Sequence, residues 1–271
     1  MSRPSFSLGF AALALSLIIG MSAPAAAAVV VLPTPFTTAE GDDSLTTPVR
    51  TAPRVLQMYF HRSDAAVAFG SEPVSISGFQ VRLNVRDSDG FLADAPGPTW
   101  PPQALNFGRY DVQLSDSSAA AFAGNELTST TFASNMGANV ITTRSGALTV
   151  PADSFLNNGT PGTDMATATP SSFGFLISFA TPYTWTPDTD LIVTIRHDGA
   201  GAPAGVPIVS FDAAAFVDGR NDALAATGSA DDTIGAFFAT NVTQFTFTPI
   251  PEPAALSTLA CGALFLRRRR P

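Results

Sequence analysis

The sequence contains no lysine, one cysteine and two histidines, and only 13% of its 271 residues are charged. A single cysteine excludes a disulfide scaffold and any zinc site built from several cysteines. Because 45% of the residues are hydrophobic, the sequence also excludes a long disordered chain, which has few apolar and many charged residues. Between the two ends of the chain, long apolar runs at helical spacing are absent as well, so little helix is expected there.

Positive charge is scarce away from the two ends of the chain. Without Arg3 and the arginines at 267–270, nine arginines remain against 22 acidic residues, a net charge near −13. Such an acidic chain repels phosphate backbones, so no nucleic-acid partner is expected. Outside a cell, divalent cations can bridge its carboxylates to polysaccharide. The alternative is that the acidity serves solubility alone.

The N-terminus has the three parts of a secretory signal peptide. Arg3 supplies positive charge, residues 6–20 form an almost unbroken apolar run, and small residues follow as far as Ala28. Signal peptidase accepts small side chains at its −1 and −3 positions, which Ala28 and Ala26 satisfy. We therefore predict a signal peptide over residues 1–28. The alternative, a permanent N-terminal membrane helix, requires a longer apolar run.

The C-terminus combines a Pro-Glu-Pro element, an apolar segment and a cluster of positive charge. These parts are Pro251, Glu252 and Pro253, then residues 254–266, then Arg267, Arg268, Arg269 and Arg270. The arginines are expected to stay in the cytoplasm under the positive-inside rule. A helix of this length spans about 20 Å, less than a hydrocarbon core of about 30 Å. The segment therefore predicts a short transmembrane helix and a transient inner-membrane anchor, with an ordinary tail anchor as the alternative.

This C-terminal region resembles the PEP-CTERM sorting signal of Gram-negative bacteria, here residues 250–271. The resemblance implies that an exosortase recognises Pro251, Glu252 and Pro253 and removes the tail. It further implies release to the cell surface or into an exopolysaccharide matrix. Signal peptidase and exosortase are the expected partners during export, and extracellular polysaccharide is a further one. The apolar segment lies at the short end for this family.

Alternation of apolar and polar residues dominates the region between the two ends. It predicts an all-β fold with about nine short antiparallel strands. The clearest alternation lies at 107–115, 173–179, 191–196 and 244–248. Further strands are expected at 55–60, 74–85, 146–150, 206–211 and 233–239. Phe175 and Ile177 are expected to be buried between two sheets.

One predicted strand changes the parity of its apolar positions. Val74 and Ile76 are even-numbered, whereas Phe79 and the apolar residues after it are odd-numbered. The switch falls at Gly78, which predicts a β-bulge. Because no linker divides them, residues 29–249 are expected to form one antiparallel β-sandwich, jelly-roll-like in topology.

A second, shorter resemblance lies between residues 107 and 199. The segments Asp111-Val-Gln-Leu-Ser, Thr131-Phe-Ala-Ser-Asn-Met-Gly-Ala-Asn and Ser145-Gly-Ala-Leu-Thr resemble those of PEP-CTERM proteins with an exported β-sandwich domain. This resemblance covers about a third of the chain. It implies no catalytic residues.

Candidate metal ligands are few. Asp87, Asp89 and Asp94 surround a glycine turn, which suits Ca²⁺ without completing a full calcium-binding loop. The pairs Asp42–Asp43 and Asp231–Asp232 are weaker candidates for calcium binding. His61 and His197 each precede an acidic residue and are either metal ligands or residues at strand ends. No cofactor other than calcium is indicated.

Trp100 is the remaining candidate for ligand binding. It lies among prolines and either stacks on a sugar ring or packs against those prolines. Motifs for serine hydrolases, zinc proteases and phosphate-binding loops are absent from the sequence. The sequence therefore predicts a non-enzymatic exported protein with a structural or adhesive role. A carbohydrate-binding module is the alternative. A glycosidase or lyase is a further one, favoured if acidic residues converge with a histidine in a cleft.

Overall fold

A computed structural model describes residues 26–45, 48–85, 97–160, 168–201, 206–215 and 222–250. The strands of these residues pair in antiparallel fashion, which confirms the all-β class. In chain order the strands are β1 Ala28–Leu32, β2 Asp43–Leu45, β3 Arg54–Phe60, β4 Val74–Val81, β5 Thr99–Trp100, β6 Leu105–Phe107, β7 Tyr110–Ser115, β8 Ile141–Arg144, β9 Leu148–Val150, β10 Phe155–Leu156, β11 Ile177–Trp185, β12 Leu191–His197, β13 Phe211–Ala214, β14 Ala223–Ala226, β15 Ala236–Phe238, β16 Thr240–Asn241 and β17 Thr243–Pro249.

Two sheets contain most of these strands. The first has four strands in the order β1-β17-β4-β11, and the second has six in the order β15-β14-β3-β12-β7-β8. Smaller sheets pair β16-β13-β2, β10-β5 and β6-β9. The helices are short: a 3-10 turn at Thr34–Phe36 and α1 Arg62–Phe69, α2 Ala119–Gly124 and α3 Phe132–Asn135.

The inner faces of the two larger sheets contribute to one apolar cluster. Phe60 of β3 meets Phe245 of β17 edge-to-face, with ring centroids 5.5 Å apart. Phe69 of α1 contacts Phe245, Phe247 and Trp185. Each fully buried aromatic side chain contributes on the order of 2–3 kcal/mol to the hydrophobic term, so these rings hold α1 against the core.

The predicted bulge is confirmed. Gly78 of β4 lies opposite Thr246, whereas Ile76 lies opposite Phe247. Ser77 therefore has no opposing residue in β17, although its hydroxyl donates to the Thr246 carbonyl oxygen at 3.3 Å. The buried positions shift from even to odd across Ser77. A Cβ on Gly78 would approach the Ile177 carbonyl oxygen to 2.9 Å, so the bulge needs glycine because the neighbouring strand passes too close for a side chain.

Several predicted strands have different limits in the structure. The strand expected at 107–115 is interrupted by Gly108 and Arg109, so β6 pairs with β9 while β7 pairs with β12 and β8. The strand expected at 206–211 is wrong, because extended pairing begins only at Phe211. The prediction at 233–239 holds only for Ala236–Phe238, and that at 146–150 only for Leu148–Val150.

The strand expected at 173–179 was placed too early along the chain. β11 begins at Ile177 and continues to Trp185. Ile177 is 1% exposed, as expected. Phe175 precedes the strand and is only half-buried, packed against the rim of the core. The expectation that Phe175 is a buried strand residue is therefore wrong.

β12 is buried on both faces rather than one. Ile192, which points to the opposite face from Leu191 and Val193, is fully buried with Val55, Leu127 and Phe132. The segment that carries α2 and α3 covers this outer face of the six-stranded sheet. Alternation within one strand cannot show that a distant segment covers its second face.

An ion pair lies inside the protein beside the three-stranded sheet. Arg82 is 2% exposed and Asp212 is fully buried. Arg82 Nε donates to Asp212 Oδ2 at 2.6 Å, and Arg82 Nη2 donates to the carbonyl oxygens of Phe36 and Ala39. The Gly41 amide donates to Asp212 Oδ1 at 2.8 Å. The pair therefore fixes the loop between the 3-10 turn and β2.

Candidate functional site

The two ends of the described chain lie side by side. Ala28, at the predicted cleavage site, is the first residue of β1 and lies opposite Phe247 of β17. After β17, the Ile250 amide donates to the Pro73 carbonyl oxygen. The segments before β1 and after β17 therefore leave the same end of the four-stranded sheet.

The sorting-signal residues lie outside the described residues, as does most of the predicted signal peptide. These are Pro251, Glu252, Pro253, Arg267, Arg268, Arg269 and Arg270 at the C-terminus and residues 1–25 at the N-terminus. Among the helices in the described ranges, none has the length and hydropathy needed to cross a membrane.

The calcium candidates Asp87, Asp89 and Asp94 also lie outside the described residues. The other acidic pairs accept hydrogen bonds from backbone amides, Asp42 from a distant segment and Asp232 within its own turn. Asp42 Oδ1 accepts the Ala215 amide at 2.7 Å, and Asp232 Oδ2 accepts the Ser229 amide at 2.9 Å. In the part of the chain that the structure describes, no three histidine, cysteine or acidic side chains gather closely enough to hold a metal.

Trp100 points inwards. It is 2% exposed, and its ring packs against Phe155 and Phe211 at centroid distances of 5.6 and 5.8 Å. Its indole nitrogen donates to the Pro207 carbonyl oxygen at 3.1 Å. Trp100 therefore serves the core and presents no ring face to a sugar in this structure.

The two histidines occupy opposite ends of the six-stranded sheet. His197 pairs with Arg54 at one end of β3, while His61 follows Phe60 at the other end. Six residues of a strand separate these ends, about 20 Å, so the two histidines cannot bind one metal ion. His197 is fully buried and stacks parallel to the Tyr110 ring.

A cavity of about 290 Å³ opens beside His61. Its walls come from the end of β3, the start of α1 and the turn after β1, and the lining residues are Pro33, Pro35, Tyr59, Phe60, His61, Ser63, Asp64, Val67, Asp222 and Thr240. A histidine and two carboxylates thus share one concavity, which is the arrangement that favours the enzyme alternative. Asp64 is already engaged, because its carboxylate accepts the amide and hydroxyl groups of Thr34.

His61 lies at the boundary between β3 and α1. Its extended backbone makes it the N-cap of the helix, and its Nδ1 accepts the Ser63 amide at 3.3 Å. The Ser63 Oγ lies 2.7 Å from the same nitrogen. The other ring nitrogen, Nε2, lies 3.0 Å from Asn125 Oδ1. One imidazole therefore connects an exposed serine hydroxyl to an asparagine.

A polar network holds Asn125 in this position. Asn125 Oδ1 also accepts Arg62 Nη2 at 2.9 Å. Arg62 in turn pairs with the fully buried Asp190, with Nη1 and Oδ1 3.1 Å apart, and its guanidinium lies over the Phe122 ring. Asp190 Oδ2 accepts the Ser117 hydroxyl at 2.7 Å. The network thus joins α1 to α2 and to the start of β12.

The sequence singled out His61 but not Ser63 or Asn125. Ser63 stands two residues after His61, a spacing with no known catalytic motif, and Asn125 is 64 residues further along the chain than His61. The one usable signal is that asparagine tolerates the left-handed conformation after a helix, which Asn125 adopts after α2 with φ of 57°. Comparison with family models, curated proteins and solved structures finds no match to this chain.

Proposed function

We propose that the chain is an exported protein of a Gram-negative bacterium, sorted by an exosortase to the cell surface or the extracellular matrix. The positions of the first and last strands support this proposal. β1 begins at Ala28, where the predicted signal peptide ends, and β17 ends at Pro249, two residues before Pro251. The folded strands thus fill the interval between the two processing segments.

The segments before β1 and after β17 lie at the same end of the domain, which is compatible with a transient membrane anchor. Both leave one end of the four-stranded sheet, so a tail held in the inner membrane brings that end of the domain to the bilayer. Removal of the tail then frees the domain without breaking a strand. The two larger sheets, packed face to face as a β-sandwich, would form the released domain.

In the matrix the domain has a structural or adhesive role. Its excess of carboxylates supports binding to polysaccharide through divalent cations. A carbohydrate-binding module with an aromatic platform is less well supported, because the Trp100 ring is buried among other aromatic rings. The proposal also includes Ca²⁺ binding by Asp87, Asp89 and Asp94.

Two variants and one measurement test the sorting route. Deleting residues 254–271 should abolish membrane retention and send the protein to the periplasm. Replacing Pro251, Glu252 and Pro253 by alanine should instead leave an uncleaved protein in the membrane. Mass spectrometry of surface material should find chains that end near Pro251. Mature surface protein that retains Arg267–Arg270 would refute the proposal.

A further inference from the structure

We propose that Ser63 is a nucleophilic serine that reacts with small neutral carboxylic esters, with His61 as its general base and Asn125 as a positioning residue. This activity goes beyond the structural role proposed for the exported domain. It does not depend on the sorting signal, because it rests only on contacts among described residues.

The three side chains have the geometry of an activated serine. A nucleophile within about 2.6–3.2 Å of a base, itself oriented by a third group, is the arrangement that activates a serine. Ser63 Oγ is 2.7 Å from His61 Nδ1, and His61 Nε2 is 3.0 Å from Asn125 Oδ1. Both distances fall within that range.

The hydrogen bonds around His61 fix its tautomer. Arg62 can only donate hydrogen bonds, and its Nη2 lies 2.9 Å from the Asn125 atom that faces His61. That atom must therefore be the amide oxygen, which places a proton on His61 Nε2. Nδ1 then carries the lone pair, which faces the Ser63 hydroxyl at 2.7 Å and can receive its proton. The Ser63 amide, also a donor to Nδ1, agrees with this assignment.

Both ring nitrogens of His61 have hydrogen-bond partners, which is more than a helix cap requires. A capping histidine uses only Nδ1, on the Ser63 amide. Here Nε2 is held as well, through Asn125 and Arg62, by the fully buried Asp190. Such support by a second layer of residues is what a precise site requires.

The cavity indicates the class of ester. Ser63 is exposed and lines the cavity of about 290 Å³ together with Pro33, Pro35 and Val67. This volume lies at the lower end for ligand pockets, so an acyl group of a few carbons fits better than a long chain. Asp64 and Asp222 also line the cavity, and their negative charge favours a neutral substrate over an anionic one.

The reaction follows the general course of acyl transfer. Ser63 Oγ attacks the acyl carbon while its proton passes to His61 Nδ1. The bond from the acyl carbon to the alcohol oxygen breaks, and His61 returns the proton to that oxygen. Water then attacks the acyl-serine in the same manner, releasing the carboxylic acid and restoring Ser63.

The start of α1 offers no free amide to an oxyanion. The Arg62 amide donates to Asp190, the Ser63 amide to His61 Nδ1 and the Asp64 amide to the His61 carbonyl oxygen. Loss of a single oxyanion donor slows such reactions by about 10²–10³. We therefore expect rapid acylation only by activated reagents, followed by slow turnover.

The test uses the full chain in mild detergent with a fluorophosphonate probe and p-nitrophenyl acetate. Peptide mapping should place the adduct on Ser63, and Ser63→Ala should lose it. His61→Asn is the decisive variant, because asparagine still caps the helix but cannot act as a base. It should lower the labelling rate about 100-fold with little change in melting temperature. Asn125→Leu should lower the rate less, and the exposed-serine control Ser178→Ala should not change it.

Three results would overturn the proposal. The first is an adduct spread evenly over exposed serines such as Ser178. The second is an unchanged labelling rate in His61→Asn, which would reduce His61 to a helix cap. The third is long-range ¹⁵N NMR that places the His61 proton on Nδ1, because Ser63 would then have no base. If Asn125→Leu unfolds α2, Asn125→Gln tests the same contact.

Discussion

Replacement of Arg82 by methionine is the sharpest test of how the interior is held together. Arg82→Met keeps an unbranched apolar stem but removes the guanidinium and with it every hydrogen bond that this group makes. Asp212 then loses its ion pair at 2.6 Å, and the carbonyl oxygens of Phe36 and Ala39 lose their donor. The Gly41 amide remains as a partner of Asp212 Oδ1.

The expected cost follows from burial. Removing one partner of a buried ion pair costs about 3–5 kcal/mol, because a charge is left in the interior. For a domain of this size, each kcal/mol lowers the melting temperature by about 2–4 °C. Arg82→Met should therefore melt about 6–20 °C below the wild type.

Arg109→Met is the matched control. Arg109 also makes two short ion pairs, at 2.6 Å to Asp111 and 2.6 Å to Asp231, but it is 38% exposed. Exposed pairs contribute about 0–1 kcal/mol. Urea denaturation of both variants should separate them clearly. If Arg82→Met loses no more stability than Arg109→Met, the buried pair does not hold the loop after the 3-10 turn in place.

The contribution of the same pair to the free energy of unfolding should depend on pH in a definite direction. Burial raises the pKa of Asp212 to about 6, although Arg82 and the Gly41 amide act to lower it. A raised pKa means that the folded state binds the proton more tightly than the unfolded state. The contribution of Asp212 to stability is therefore fully present below about pH 4 and is lost as the pH rises through 6. The difference between the wild-type and Asp212→Asn stability profiles should show this slope; a flat difference would contradict it.

Three further predictions concern the core, the bulge and calcium. Ile177→Ala should cost about 2–5 kcal/mol in a denaturant titration, and more than Phe175→Ala, because only Ile177 is fully buried; equal costs would contradict the observed start of β11. Gly78→Ala should lose about 1–3 kcal/mol through overpacking, whereas Gly97→Ala, whose Cβ would have no neighbour closer than 4.0 Å, should not. If Asp87, Asp89 and Asp94 bind Ca²⁺, adding it should raise the melting temperature, and calorimetry without saturable binding at millimolar calcium would remove that site.

The fold class and the local pattern of burial could be predicted from the sequence because both depend on near neighbours. The parity switch at Gly78 located the bulge to within one residue, and Tyr110, Val112 and Leu114, which alternate with polar residues in the sequence, are all buried. Errors arose where distant segments decide the outcome. β11 pairs with β4 from Ile177 onwards, whereas Phe173 forms only an isolated bridge with Arg82, and nothing in residues 173–176 reveals that difference.

The site was less predictable than the fold for the same reason. The sequence suggested sugar stacking for Trp100 but could not show that Phe155 and Phe211 enclose its ring. It noted His61 for the acidic residues nearby, whereas its side-chain partners are Ser63 and Asn125. The Asn125 contact spans 64 residues and depends on the left-handed residue that ends α2. No spacing rule connects such residues before the chain has folded.

Two polar networks among the described residues, that of Arg82 with Asp212 and that of Asp190 with Ser63, differ in a way that bears on function. The network of Arg82 and Asp212 is closed, since both side chains are buried and their partners are interior backbone groups. The network that begins at the fully buried Asp190 instead opens to solvent at Ser63, beside the cavity. A network that serves stability alone gains nothing from an exposed hydroxyl held 2.7 Å from an imidazole. The open network should therefore influence the reactivity of Ser63 more than the stability of the fold, and His61→Asn separates these two effects.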